Sequence, residues 1–349
     1  MSTNDFLLTL SSLTAVSGYE HVSLTEIKKF FQPYCDLVYD DKMGNIIGVK
    51  KTKTKTPHKV MLAAHMDEIG LMVKSIDEKG FIKFTNIGGV DQRLLLAQEV
   101  IVHGKEELFG VISAKPPHLQ SKEEANKAVK MEDLVIDVGM EAEKVKKLIN
   151  IGDIVSFRSS LTTLMNKYIC GKSMDNRVGV AVMIECLKEL NRQDIDVELY
   201  AAATVQEEVG LRGATVISYD INPDIGIAID VCHGDTPDVS KDETYVTSKG
   251  PVITLGPNIH PKLAKKIMNI AKEYNIPFQT DVDPGNTGTD AWAIQVTRAG
   301  IPTLLVSIPL RYMHTTVETV CYNDIANAGK LLAIFIRKLE GELGELLCY

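Results

Sequence analysis

Lys59-Val60-Met61-Leu62-Ala63-Ala64-His65-Met66-Asp67-Glu68 is the stretch on which the fold turns. Its apolar run is continuous, as in an interior strand buried on both faces, and it stops at an imidazole and two carboxylates. Ligands of open α/β sheets gather at such carboxyl ends of strands. Upstream, the spacing predicts helices over Asp5–Ala15 and His21–Phe31, separated by the breaker Ser17-Gly18, and a strand over Asn45–Val49.

Downstream the texture changes. From Gly70 to about Leu164, short alternating runs are separated by glycine turns. Leu71–Ile76 and Phe81–Ile87 flank Asp77-Glu78-Lys79-Gly80 as a hairpin, and Val100–Val102 and Leu108–Ser113 flank another. Leu134–Val138 and Ile154–Arg158 add strands, with one clear helix at Glu141–Ile149. From Gly171 the pattern predicts helices over Asn176–Leu190, Lys262–Tyr274 and Asn323–Lys338, and strands over Val197–Val205, Ile225–Ile229 and Thr303–Ile308. This predicts a discontinuous α/β domain with a mainly parallel sheet, residues 1–69 plus 165–349, interrupted by an all-β domain over residues 70–164.

The 349 residues suffice for one large core or two ordinary ones. A formal net charge of -8, with Lys and Arg dispersed, argues against a nucleic-acid footprint, and the one basic run, Lys50 to Lys55, reads as a solvated connection. No run approaches the roughly 18 apolar residues of a membrane span. The N-terminus lacks a basic n-region and a small-residue cleavage site. Cys35, Cys170, Cys186, Cys232, Cys321 and Cys348 include no Cys-x-x-Cys pair. Reduced thiols in a cytoplasmic protein are therefore expected, not a zinc ribbon or a disulfide framework.

Five strand ends carry candidate chemistry. His65 and Asp67 are two apart and share a strand face. A metal-bound imidazole needs a carboxylate on its other nitrogen to fix the tautomer, although His65 alone is simply a polar residue at a strand end. Cys170–Arg177 joins a strand to a helix and brings Asp175, which with Asn176 could equally serve as a helix N-cap. Glu207 and Glu208 follow the apolar strand Leu199–Val205, and adjacent carboxylates there are costly without cations. Neighbouring residues point in different directions, so one can ligate a metal while the other faces substrate. Asp230 ends the run Ile225–Ile229, and His314 follows Leu304–Leu310. His233 is a rival imidazole that spacing leaves open, whereas His21, His58, His103, His118 and His260 lie in helical, loop or insert contexts. Two His, two Asp and one Glu, with a spare Glu alongside, match a dinuclear site: bridging carboxylate, terminal N/O ligands and an unligated base. Mixed imidazole and carboxylate donors suit zinc or cobalt better than magnesium.

The chain resembles the M42 family of metallo-aminopeptidases, the glutamyl or tetrahedral aminopeptidase group whose members are sometimes labelled endoglucanases. The matching stretches are AAHMDEIGLMV from Ala63, GKSMDNRVGVAV from Gly171, QEEVGLRGA from Gln206, AIDVCHGDTPD from Ala228, TGTDAWAI from Thr287 and IPLRYMHT from Ile308, in order across nearly the whole chain. The resemblance implies a three-layer α/β/α catalytic domain (phosphorylase/hydrolase-like) with an inserted β-barrel dimerisation domain. It implies two divalent ions per subunit: His65, Asp175 and Asp230 on one, Asp175, Glu208 and His314 on the other, with Asp175 bridging. Glu207 would be the general base and Asp67 would orient His65. After Asp230 the family often carries Thr or small residues, where this chain has Val231, Cys232 and His233.

The expected activity is removal of the N-terminal residue from short peptides, with Glu207 taking a proton from a metal-bridging water and returning it to the leaving amine. Thr289, Asp290, Ile308 and Arg311 are candidate pocket neighbours, Asp290 and Arg311 the candidate substrate contacts. Rival readings are a deacylase or carboxypeptidase on the same site, a glycoside hydrolase and a non-catalytic scaffold. Glycosidases need two carboxylates facing each other roughly 5–9.5 Å apart, and adjacent Glu207 and Glu208 make a poor pair. The resemblance also implies a homo-oligomer, a dimer or a tetrahedral shell of dimers.

Overall fold

Two β-structures account for the strands of the computed structural model, which describes residues 3–121, 129–237, 239–339, 341 and 343–347. Cys348 and Asp238 of the AIDVCHGDTPD stretch lie outside the described residues. Strands β1 (Leu37–Asp40), β2 (Ile46–Lys50) and β3 (Lys59–His65) enter a large sheet. The next six, β4 (Gly70–Ile76), β5 (Ile82–Ile87), β6 (Glu99–His103), β7 (Glu107–Ser113), β8 (Val135–Asp137) and β9 (Ile154–Phe157), close a barrel in the order β4-β5-β8-β7-β6-β9. Strands β10 (Thr162–Thr163), β11 (Tyr168–Gly171), β12 (Glu198–Thr204) and β13 (Ile225–His233) return to the sheet. So do β14 (Val252–Leu255), β15 (Gln279–Val282), β16 (Thr303–Arg311) and β17 (Glu318–Cys321).

The side-chain alternation of β3 divides the core. Val60, Leu62 and Ala64 join a cluster with Phe6, Ile27, Val178, Leu332 and their neighbours. These come from helices Thr3–Ser12, Leu24–Phe31, Met174–Glu189 and Tyr322–Arg337. Met61 and Ala63 join the opposite cluster, with Ala214 and Ile217 of helix Arg212–Ile221 and Ala291 and Ile294 of helix Asp290–Gln295. A period of two on a strand buried on both sides leaves room only for a layer of helices on each face, which gives the α/β/α sandwich. The barrel has its own core, including Leu71, Val73, Phe84, Val102, Ile136 and Val155. Among the described residues no helix is long and apolar enough to cross a membrane.

The sheet departs from the mainly parallel expectation. Its centre, β12-β3-β13-β16, runs parallel, as do β14 and β15 off the main path. Strands β1 and β2 on one side and β17, β11 and β10 on the other pair antiparallel, as does β14 with β16. The parallel register aligns the carboxyl ends: His65 stands opposite Thr204, and Asp230 opposite Ser307. The segment His21–Phe31 forms a short turn of 3-10 helix at Glu20–Val22 followed by the helix Leu24–Phe31. Helix Arg212–Ile221, absent from the sequence-based pattern, does carry the spacing Ala214, Ile217, Ile221 on its buried side.

Close packing leaves one test of this layering. A Cβ built on Gly226 of β13 would stand 2.4 Å from Ile294 Cγ2 in helix Asp290–Gln295. Gly226→Ala is expected to lower stability by about 1–3 kcal/mol, read as a lower urea midpoint with an unchanged m-value; an unchanged midpoint would mean that this helix yields freely.

Candidate metal centre

The carboxyl ends of the parallel strands converge. His65 is the last residue of β3, Asp230 lies within β13, and Glu207 and Glu208 stand just beyond β12. Asp175 is the second residue of helix Met174–Glu189, shortly after β11, and precedes a cis Asp175–Asn176 peptide. His314 sits in the turn between β16 and β17 with φ 60°, a left-handed conformation uncommon for a side-chain-bearing residue.

His65 Nε2 lies 3.1 Å from Asp175 Oδ1, 3.8 Å from Asp230 Oδ1 and 3.9 Å from Glu207 Oε2. His314 Nε2 lies 3.3 Å from Asp175 Oδ2 and 3.4 Å from Glu208 Oε1. His65, Asp175 and Asp230 form one triad with donor atoms within 4.8 Å of each other, and Asp175, Glu208 and His314 form a second. Asp175 faces both, one oxygen to each imidazole. Glu207 belongs to neither.

The electrostatics mark an assembly that its own charges do not balance. Burial, with His65 opposing and Asp230 and Asp290 adding, pushes Glu207 up to about 10. Burial likewise raises Asp230 well above the usual carboxylate range. His65 is disfavoured as a cation by burial, but Glu207, Asp175, Asp67 and Asp230 outweigh this and hold it well above an ordinary imidazole. Hydrogen bonds to Asp175 and Glu208 push His314 up to about 11. Carboxylates forced to keep protons beside imidazoles forced to gain them are the signature of a cluster suited to cations. The donor set of imidazole nitrogens and carboxylate oxygens fits a borderline divalent ion.

A second tier orients the first. Asp67, fully buried, faces His65 Nδ1 with its carbonyl at 3.2 Å and its Oδ1 at 3.6 Å. The same carboxylate accepts from the backbone N–H of Glu207 at 3.0 Å, from that of Glu208 at 3.2 Å and from Ser17 Oγ at 2.5 Å. Glu318 accepts from the backbone N–H of Asp175 at 3.0 Å and of His314 at 2.8 Å. Glu68 takes no place in either triad; it is buried against Lys172 Nζ at 2.5 Å and Ser173. Asp290 is buried, with Oδ2 accepting from Thr204 Oγ1 at 2.6 Å and Oδ1 without a hydrogen-bond partner. Burial holds this carboxyl up, to about 6. Arg311 is not brought to the cluster: its guanidinium binds Asp235, Nη2 to Oδ2 at 2.9 Å and Nε to the carbonyl at 2.6 Å. His233 and Thr289 line the cavity in front of the triads, whereas Ile308 is buried in the main core.

The sequence profile of the M42 glutamyl aminopeptidase family matches residues 44–331. The chain belongs to the M42 peptidase family. Membership makes it a hydrolase of peptide bonds. A lysyl aminopeptidase of Pyrococcus furiosus is 38% identical over 93% of this chain and 94% of its own length. The TET aminopeptidase of a marine-sediment Thaumarchaeota archaeon superposes with a TM-score of 0.93 at 31% identity, covering 99% of each chain. Pyrococcus horikoshii TET1 peptidase superposes at 0.84 with 34% identity over 96% of this chain and 99% of its own.

Two parts of this M42 peptidase's site escape a strand-end reading. Glu318 opens β17, and its only sequence signal is an acid at the start of the apolar strand Glu318–Cys321. Gly89, from the barrel's β5–β6 connection, has no signal at all, yet its carbonyl lies 3.0 Å from His314 Nδ1. The barrel therefore holds one ring of the cluster by its second nitrogen, as a metal-ligating imidazole requires. A Cβ on Gly89 would stand 2.7 Å from that nitrogen. If the cluster holds a divalent ion, Gly89→Ala is expected to weaken its binding by about 10–100-fold, measured by calorimetric titration on protein whose circular dichroism is unchanged; undiminished affinity would count against His314 as a ligand held through Gly89.

Proposed function

We propose that the chain is a dinuclear metal-dependent aminopeptidase that releases N-terminal residues from short peptides, with Glu207 as general base. The observation that carries this reading is the pair of triads sharing Asp175, with the Glu207 carboxylate beside His65 and inside neither triad. His65, Asp175 and Asp230 would hold one divalent ion, and Asp175, Glu208 and His314 the other, with zinc or cobalt favoured by the donors. Ions held there supply Lewis-acid polarisation of water and carbonyl, and the positive charge that lets Glu207 ionise at neutral pH.

The chain's own groups do the rest. Glu207 Oε accepts the proton of the attacking water, then delivers it to the nitrogen of the departing peptide as the C–N bond breaks. Asp67 keeps His65 in one tautomer and, through the backbone N–H groups of Glu207 and Glu208, keeps base and ligand in fixed relation. Asp290 is not a substrate contact in this scheme, because its Oδ1 is buried and the residue does not line the cavity. Arg311, committed to Asp235, is left out of the binding scheme.

Relatives carry both lysyl and glutamyl aminopeptidase names, so family alone leaves the side-chain preference open. The TET1 relative is named for assembly into a tetrahedron or an octahedral shell. For this chain a homo-oligomer built through the inserted barrel is supported by Phe109 and Val111, exposed apolar residues on the outer side of β7. Phe109→Asp is expected to reduce the mass seen by light scattering; an unchanged mass would move the interface elsewhere.

Glu207→Gln decides the base. It is expected to retain full divalent metal content by elemental analysis while kcat on aminoacyl-p-nitroanilides falls by about 10²–10⁴-fold. Wild-type turnover in the variant would sink the assignment, and loss of metal would make Glu207 a ligand instead.

A further inference from the structure

In front of the triads lies a cavity of about 640 Å³, within the range of small-molecule sites. Leu211, Val231 and Met313 give it apolar surface. Outside the catalytic cluster its charged side chains are all acidic: Asp242, Glu243 and Asp281, with neither lysine nor arginine among the described lining residues. No ion pair engages these three acids among the described residues. Asp242 and Glu243 are exposed at the rim, whereas Asp281 is half-buried.

Asp281 is also fixed in place. Tyr245 Oη donates to its Oδ1, and Thr254 Oγ1 reaches its Oδ2 at 3.4 Å. Two hydroxyls thus hold a carboxylate on the cavity wall with donor capacity still wanted, since an ionised carboxylate offers about four acceptor positions. The registers carry Asp230 to Ser307 on β16, Ser307 to Val252 on β14 and Val252 to Gln279 on β15, two residues before Asp281. At the usual strand spacing that is roughly 14 Å between backbones, a span open to a peptide N-terminus whose long basic side chain extends along the cavity wall.

Building on the aminopeptidase reading, we infer that the enzyme selects peptides whose N-terminal side chain is basic, with Asp281 as the principal specificity residue and Asp242 and Glu243 as supporting rim charges. An acidic side chain would meet three like charges without a counter-ion. An aliphatic one would leave the Asp281 carboxylate dehydrated and unpaired.

A substrate panel on the zinc- or cobalt-loaded protein tests this. L-lysyl- and L-arginyl-p-nitroanilide are expected to exceed the leucyl and glutamyl compounds in kcat/KM by about ten-fold or more. Asp281→Asn should shrink the lysyl-to-leucyl ratio by about ten-fold, mainly through KM for the lysyl compound. Should that variant fold poorly, the double variant Asp242→Asn/Glu243→Gln, confined to exposed positions, should shrink the ratio by roughly two- to five-fold. A wild-type preference for leucyl or glutamyl substrates, no preference, or a ratio unmoved in both variants overturns the inference and leaves the aminopeptidase reading intact. If no free-amino compound is cleaved while N-acyl or carboxyl-terminal substrates are, the aminopeptidase reading itself fails.

Discussion

The rest of the structure depends on one electrostatic constraint: many carboxylates brought together where water is scarce. Asp67, Asp175, Asp230, Asp290 and Glu318 are all at most 7% exposed, and they crowd around the imidazoles of His65 and His314 with Glu207 and Glu208. Burying like charges so closely is unfavourable by itself. It persists because the scaffold over-determines each position. Every central parallel strand is locked in register with its neighbours, and helices cover both faces, so the strand ends cannot splay apart to relieve repulsion. A fold with that rigidity can hold an arrangement that only added positive charge makes comfortable.

The division of labour among the acids follows from what each one faces. Asp67 and Glu318 accept backbone N–H groups of the residues beside them, and so fix where the chain places Glu207, Glu208, Asp175 and His314. Hydrogen bonds from His65 and Ser17 hold Asp67 below the usual carboxylate range despite its burial, so it stays ionised. Glu207 is held up at about 10 by burial. Two carboxyl groups near one imidazole are thereby set to opposite protonation preferences, a separation of roles familiar from paired acid and base sites. The barrel contributes through one short turn: Gly88 lies against Glu208 and Gly89 against His314. Side chains at either position would intrude on the cluster, so an inserted domain shapes a site whose triad residues all belong to the sandwich.

Much of this was legible in the chain because strands buried on both faces leave an unmistakable apolar run, and a charge at the end of such a run has few structural excuses. Lys59–Asp67 and Leu199–Glu208 are of that kind. The change of texture at Gly70 was equally readable, since barrel strands such as β7 alternate exposed and buried residues while β3 does not. Strand direction was another matter. The antiparallel flanks rest on pairings such as Ile46–Lys50 with β12 and Tyr168–Gly171 with β17, whose partners are remote in sequence and set by tertiary packing. Arg311 shows the same limit from the side of function. A cation at the end of a strand beside the candidate ligands invites a substrate role, yet Asp235, distant in sequence, occupies its guanidinium.

The acidic wall gains meaning from the same charge count. Divalent ions at the triads would offset the catalytic cluster, but their influence falls off with distance and with the water admitted by an open cavity. Asp281, held by Tyr245 and Thr254 on the far strand, lies beyond what those ions neutralise. Its negative charge is therefore left for the substrate to answer. Glu207 and Glu208 cannot serve a sugar ring in the same way, because their carboxylates address different neighbours, His65 for one and His314 for the other. A ligand that presents a cation at Asp281 answers the charge left on that wall, and the side chain of an N-terminal lysine or arginine has that form.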